Sequence, residues 1–395
     1  MSMTVLQETA RGDQAVKLDP PSPAPLAPNE RLAALDILRG IALFGVMAIN
    51  LVFEFRVSIF EQLLPHDWSE SPLDRAIANF LDQAVSLKAF ALFSLLFGIG
   101  LAIQFDRLAT KPRAVLLLRR LLVLLAFGLI HLTLIWDGDI LTEYALAGLL
   151  VLPLLYGPSW LLAGSVLVLL AVYANSYLMH LLPFYAPTWL AHHILETRRV
   201  YPTGSFAEIL SFRTHEIAAT APLHVWVFPR TLALFLLGAL VWRMEIVQCA
   251  SEHRWALFGT AVVGLILTML VGRELSTVTL SLAYAAIIAG VVSLPWGARL
   301  LGWAAPLGRM AFTNYIAQSL IFGFVFYGYG LGLFGQLRVS TALAFGIAVY
   351  VAQVVFSRWW LDRYRFGPLE WLWRSLMYGQ PQPMKVATTR SLSSM

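Results

Sequence analysis

Residues 35–40, Leu35-Asp36-Ile37-Leu38-Arg39-Gly40, open an apolar stretch that continues to about Phe53, and their reading decides the fold class. An acid and a base three positions apart stand at the head of a segment oily enough to enter a bilayer. An ionisable group at membrane depth costs roughly 2.5–3.5 kcal/mol on insertion scales, and such groups face a protein interior or a hydrated cavity rather than lipid. The segment therefore reads as a membrane helix packed among other helices, with its polar stripe turned inward.

Working outward, the whole chain fits that reading. It has 395 residues, 58% hydrophobic and 13% charged, with a mean hydropathy of +0.70. This is the composition of an all-α, polytopic integral membrane protein rather than of two or three soluble domains. Stretches long enough to cross about 30 Å of hydrocarbon occur at 32–53, 84–104, 115–136, 139–156, 159–179, 224–243, 255–272, 275–294, 308–327 and 340–360. Ten helices put both termini on one side. The Lys and Arg residues concentrate there, which makes that side the cytoplasm. The net charge of +5 lies between spans rather than along one soluble face, so nucleic acid is not expected as a partner; the lipid bilayer is. Cys249 is the only cysteine, which rules out an internal disulfide, and no zinc-ligand spacing is present, so no metal is expected. Oligomeric state is not legible.

The proline-rich first 30 residues lack a signal-peptide core and read as a disordered cytoplasmic tail. The expected organisation is then a helical membrane half at 31–180, an outer loop at 181–223, a second membrane half at 224–380 and a disordered tail at 381–395. Within the outer loop Phe206, Ile209, Leu210 and Ile217 are spaced like one face of an interfacial helix, a potential lid.

Several polar residues carry candidate chemistry. Arg39 and Asn50 lie eleven positions apart on one helical face, with Asp36 beside it. They read either as the wall of a path between the two membrane faces or as an ion pair and interhelical glue. His66, in His66-Asp67-Trp68 of the first outer loop, is the candidate base. His131, Asp137, Asp139 and Glu143 converge near an outer turn and would hold a polar substrate or a cation; Asp137 and Asp139 read equally as turn former and N-cap. Lys88 reads as an interfacial, snorkelling lysine. Arg107, Lys111, Arg113, Arg119 and Arg120 form the densest basic run, which grips the phosphates of a cytoplasmic donor or only sets topology. Asn314 and Gln318 stack at i,i+4 and need partners on neighbouring helices or in a ligand.

The segment 35–40, together with GRMAFTNYIAQSL at 308–320 and GPLEWLWRSLMYG at 367–379, resembles the YeiB-like bacterial membrane proteins, a DUF family, over residues 31–380. That likeness implies a multi-pass protein of the bacterial inner membrane. Residues 31–105 are also distantly similar to heparan-alpha-glucosaminide N-acetyltransferase and the transmembrane acyltransferase superfamily, through Asp36, Arg39-Gly40, Asn50 and the loop His66-Asp67-Trp68. The resemblance implies acyl transfer from a cytoplasmic acyl-CoA-type donor to a hydroxyl or amine of an outward-facing saccharide-like acceptor. His66 would then be catalytic, with Asn50, Asp36 and Arg39 supporting it. His131, Asp139, Glu143, Asn314 and Gln318 would line the acceptor side, and Arg107, Arg113, Arg119 and Arg120 would meet the donor. The alternative is a small-molecule transporter or exporter whose ion-coupled path uses the Asp36–Arg39 pair and the outer carboxylates.

Overall fold

A computed structural model describes residues 33–63, 71–108, 113–175, 185–250 and 252–386. The regular elements are helices: α1 Ala33–Asn50, α2 Pro72–Phe80, α3 Lys88–Arg107, α4 Arg113–Ile130, α5 Leu141–Leu154, α6 Ser159–Ala174, α7 Pro187–Thr203, α8 Phe206–Arg243, α9 Arg254–Leu270, α10 Arg273–Val292, the short α11 Gly297–Leu301 and α12 Ala305–Arg309, then α13 Ala311–Phe326, α14 Val339–Leu361 and α15 Pro368–Tyr378. Six stretches among the described residues are long and apolar enough to cross a bilayer: Ala33–Phe55, Pro72–Arg107, Arg113–Ile135, Phe206–Arg243, Arg273–Val292 and Val339–Leu361. Shorter apolar helices, α5, α6, α9 and α13, occupy the other oily segments of the sequence. The chain is an all-helical membrane protein.

Burial sorts these helices into inner and outer ones. Helix α1 is buried around its circumference, with Leu35 to Leu38, Ala42, Leu43 and Val46 to Asn50 all inside. Its polar residues therefore face protein, as the cost of exposing them to lipid requires. Helix α9 is the opposite case: only Ala261 and Gly264 are buried, and its oily remainder faces outward. The motif glycines let α1 sit so deep. A side-chain carbon on Gly40 would overlap the backbone of Ala304, and one on Gly308 the carbonyl of Asp36, so the segments 35–40 and 308–320 meet backbone to backbone. The third motif joins them through Glu370 at the start of α15. Its carboxylate accepts from the Thr313 backbone N–H at 3.0 Å and from the Thr313 hydroxyl at 2.6 Å.

The outer loop expected at 181–223 needs correction. Its second part is no separate interfacial helix, because Phe206–Arg243 is one helix of 38 residues that runs through Pro222 and Pro229. Ser205 starts it with a capping box, its hydroxyl accepting from the Glu208 N–H while its own N–H donates to the Glu208 carboxylate. Arg213 and Glu216 of this first half look extramembranous in sequence, yet they are buried. Arg213 lies 3.7 Å from Asp137 and donates to the Thr133 carbonyl at 3.3 Å, and Glu216 meets His193 of α7 at 2.5 Å. The expected boundary at 223/224 thus falls within a continuous helix.

Helices α3 and α8 cross so closely that a side chain on Gly98 would overlap the Phe235 backbone, while the outward-facing Gly164 of α6 has nothing within 4 Å. Gly98→Leu should therefore cost about 1–3 kcal/mol by overpacking, whereas Gly164→Leu should be close to neutral. Thermal unfolding of the two purified variants in detergent checks this, and equal stability would contradict the crossing.

Candidate functional site

At one end of the bundle the structure holds a cavity of about 680 Å³. Its wall is built from the end of α1, the start of α3, the turn between α4 and α5, the middle of α8 and the start of α10. Backbone geometry loosens there. Three five-residue π-helical stretches, Leu51–Phe55, Leu81–Val85 and His131–Ile135, follow α1, α2 and α4, and such stretches recur where side chains are re-aimed at functional sites. The first supplies Glu54 to the wall and the second Asp82.

The chemical centre of the wall is a carboxylate–imidazole pair. Glu143, in the first turn of α5, lies with Oε2 3.1 Å from His224 Nδ1 and accepts from the Thr231 hydroxyl at Oε1, 2.5 Å away. His224 and Thr231 stand seven residues apart on α8, two turns along one face, so a single helix grips both oxygens of one carboxylate. A carboxylate at Nδ1 assigns the ring proton to that nitrogen and leaves the Nε2 lone pair as the base. Nε2 has no protein partner among the described residues, and the ring lines the cavity.

Beside the pair, burial lifts the Asp137 carboxyl above the ordinary carboxylate range, with Arg213 pulling the other way. Burial and then the charge of Asp137 raise the Tyr201 phenol well above its usual value, so it keeps its proton and faces Asp137 Oδ1 at 3.5 Å. Among the described residues no group of three or more His, Cys, Asp or Glu is arranged to hold a metal ion.

The residues singled out from the sequence scatter. Glu143 lines the cavity, as does Asp137. Asp36 and Arg39 pair with each other at 3.1 Å and do not line it. Asn50 is buried, away from the cavity wall, with its side-chain oxygen unpartnered. This stripe therefore holds an ion pair and a separate buried amide. His66 lies outside the described residues. His131 and Asp139 form a deceptive group: Asp139 Oδ1 is 2.8 Å from His131 Nδ1, and His131 Nε2 is 2.9 Å from the Ser319 hydroxyl. The order of atoms is that of a hydrolase triad, but Ser319 is 2% exposed and none of the three lines the cavity. Asp139 also accepts from the Leu141 and Thr142 N–H groups at 3.1 and 2.7 Å, which makes it a helix cap. His131 and Asp139 thus lie off the cavity wall in a buried, hydrogen-bonded group.

Asn314 and Gln318 make interhelical bonds, and neither lines the cavity. Asn314 donates to Ser357 at 2.9 Å and Gln318 to Gln353 at 2.8 Å, joining α13 to α14. Of the basic run, Arg113 donates to the Leu108 carbonyl and lies over Phe105, and Arg119 contacts the Met377 carbonyl. Arg120 is sandwiched 5.0 Å from each of Phe97 and Trp373 with one terminal nitrogen unpartnered. Arg107 lies within electrostatic reach of Tyr378.

The sequence reading missed His224, Arg230 and Thr231 because they fall at the head of an oily segment that was read only as a span. The i,i+7 spacing of His224 and Thr231 on one helical face was the available signal. Lys88 is 8% exposed and lines the cavity rather than snorkelling to an interface.

With the geometry described, comparison with known proteins places the chain. It is 32% identical to "Uncharacterized protein YxaH" of Bacillus subtilis, over 92% of this chain and 98% of that protein, and 30% identical to "Uncharacterized protein YeiB" of Escherichia coli, over 91% and 100%. The chain belongs to the YeiB-like family. Residues 216–380 match the family model described as "Protein of unknown function (DUF418)", a region that includes His224, Thr231 and two of the three motifs. A protein encoded beside an amylase gene in Bacillus acidopullulyticus is 31% identical over 91% of this chain and 97% of its own length. No solved structure matches the chain.

If Asp139 is a cap, Asp139→Ala should lose about 2–4 kcal/mol through the lost cap and the stranded His131, while Ser319→Ala should leave any ligand-dependent activity intact. Denaturant titration and an activity assay on the two variants check both; loss of activity in Ser319→Ala would revive the triad.

Proposed function

We propose that this protein is a membrane acyltransferase whose reaction centre is the Glu143–His224 pair on the cavity wall. With ten membrane passes and cytoplasmic termini, the cavity faces outward and receives a saccharide-like acceptor. The observation that carries the reading is an imidazole held by a clamped carboxylate, with its second nitrogen free, beside open volume; this is the arrangement of a general base. His224 Nε2 takes the proton from an acceptor hydroxyl or amine as that atom attacks the acyl carbonyl carbon. The carbon–sulfur bond of an acyl-CoA-type donor breaks, and the proton passes to the leaving thiolate. Glu143 holds the ring and offsets the positive charge it gains, while Thr231 holds Glu143.

The donor's phosphates would be met at the opposite end of the bundle by the arginines of α3 and α4, where Arg120 leaves a buried nitrogen unpartnered. The fit is to an anion in general, which supports the donor class without naming it. The likeness of residues 31–105 to transmembrane acyltransferases favours the same chemistry, and His66 is the rival base. The transporter reading keeps only part of its path, since Asp137 and Glu143 line the cavity but Asp36, Arg39 and Asn50 do not.

Purified protein incubated with labelled acetyl-CoA and a panel of saccharides should transfer label, and His224→Gln should reduce the rate by about 100-fold or more with the fold intact. A His224→Gln protein of unchanged rate beside an inactive His66→Ala protein would move the base to His66. Saccharide flux into proteoliposomes without any acyl donor, and no transfer, would overturn the enzyme reading in favour of transport.

A further inference from the structure

Another part of the cavity wall carries hydrogen-bond donors without acceptors. Trp226 and Arg230 stand at i and i+4 on α8, so both project from one face. The Trp226 indole N–H and the Arg230 Nε are buried and bonded to nothing among the described residues. Arg230 is 2% exposed, and its hydrogen bond to the Leu87 carbonyl is a long one of 3.5 Å. The arginine ion pairs among the described residues are Arg39–Asp36, Arg198–Glu61, Arg213–Asp137 and Arg273–Asp82, so this buried guanidinium has no carboxylate partner.

Lys88 adds a second cation at the same place, within electrostatic reach of the Asp82 carboxylate, which Arg273 also approaches at 3.6 Å. It follows Leu87 in sequence, and its ammonium donates at 3.1 Å to the backbone carbonyl of Asp82, not to the carboxylate. Leu87 itself has φ +59°, a left-handed conformation that a branched side chain rarely adopts, and it presents its carbonyl to Arg230. Tyr173 completes the cluster, 5.4 Å from the Trp226 ring and 5.7 Å from the Arg230 guanidinium carbon. All five residues line the cavity.

Indole, guanidinium and ammonium groups donate and cannot accept. Buried cations without counter-charge are costly unless a partner arrives. A water can satisfy a donor but brings no charge, so the cluster calls for oxygen acceptors that carry a negative charge. We infer that Trp226, Arg230 and Lys88 form an oxyanion subsite, which takes the phosphate or carboxylate group of an anionic saccharide-like ligand. Calling that ligand the acceptor rests on the acyl-transfer reading; the subsite itself does not. The ligand's anionic end would sit on this donor wall and fix the sugar ring relative to His224, which makes Arg230 and Lys88 determinants of specificity.

Equilibrium binding tests this on the full chain in neutral detergent, with glucose 1-phosphate, glucuronate and glucose as probes at millimolar concentration. At least one anionic sugar should bind about 10-fold or more tightly than glucose, and Arg230→Gln and Lys88→Met should each remove that advantage by a similar factor. The phosphate and carboxylate arms show which oxyanion is preferred. Should Arg230→Gln fail to run as a monodisperse species, Lys88→Met on the other helix decides. Binding of glucose equal to that of both anions, no binding of either anion, or unchanged anion affinity in folded Lys88→Met would overturn the subsite. Anion binding without any acyl transfer would keep the subsite and remove the acyltransferase, and equal transfer to neutral and anionic sugars would do the reverse.

Discussion

One carboxylate holds two helices to the cavity. Glu143 gives one oxygen to the Thr231 hydroxyl and the other to His224, so a side chain from the first turn of α5 is clamped by two turns of α8. In a bundle whose surroundings offer no water, a buried charge must find its partner inside the protein or in something that enters it. That constraint explains why the polar half of α8 folds inward, since Arg213, Glu216, His224 and Thr231 each have a counterpart on another element. It also explains where function gathers, at the groups whose counterparts are incomplete.

The same constraint separates two histidines that look alike in sequence. His131 is bonded at both ring nitrogens, between Asp139 and Ser319, and is closed off from the cavity. His224 is bonded at one nitrogen and has open volume at the other. The first is saturated and structural; the second retains a lone pair to use. Access and an unspent valence distinguish them, because the first has the more complete triad of atoms. A parallel contrast holds among the cations. Arg39 is neutralised one turn away by Asp36, whereas Arg230 has no ion pair among the described residues and faces the cavity.

Much of the fold was legible because hydropathy is a property of segments. The oily stretches at 32–53, 115–136, 275–294 and 340–360 became α1 and α4 with their π-helical extensions, α10 and α14, and the buried Asp36 met the half-buried Arg39 as an i,i+3 pair. The three motifs proved to be packing motifs, joined by Gly40, Gly308 and the Glu370–Thr313 bonds. The site was legible only in part. Glu143, singled out from its place after a turn, lines the cavity, but His224 and Arg230 were hidden by the apolar run that follows them, and Asp139 read equally as cap and ligand. No period in the sequence reports which polar residues face a shared volume, because that volume is enclosed by helices more than 100 positions apart.

The account stands on the claim that the Glu143–His224 wall is wet and reached from one membrane face while the His131 group is dry. Cysteine accessibility in intact cells measures this directly, in a chain with Cys249 replaced by serine. A membrane-impermeant thiol reagent added outside should label Val227→Cys on the cavity wall and leave Ser319→Cys unlabelled. Protection of Val227→Cys together with labelling of Ser319→Cys would contradict it.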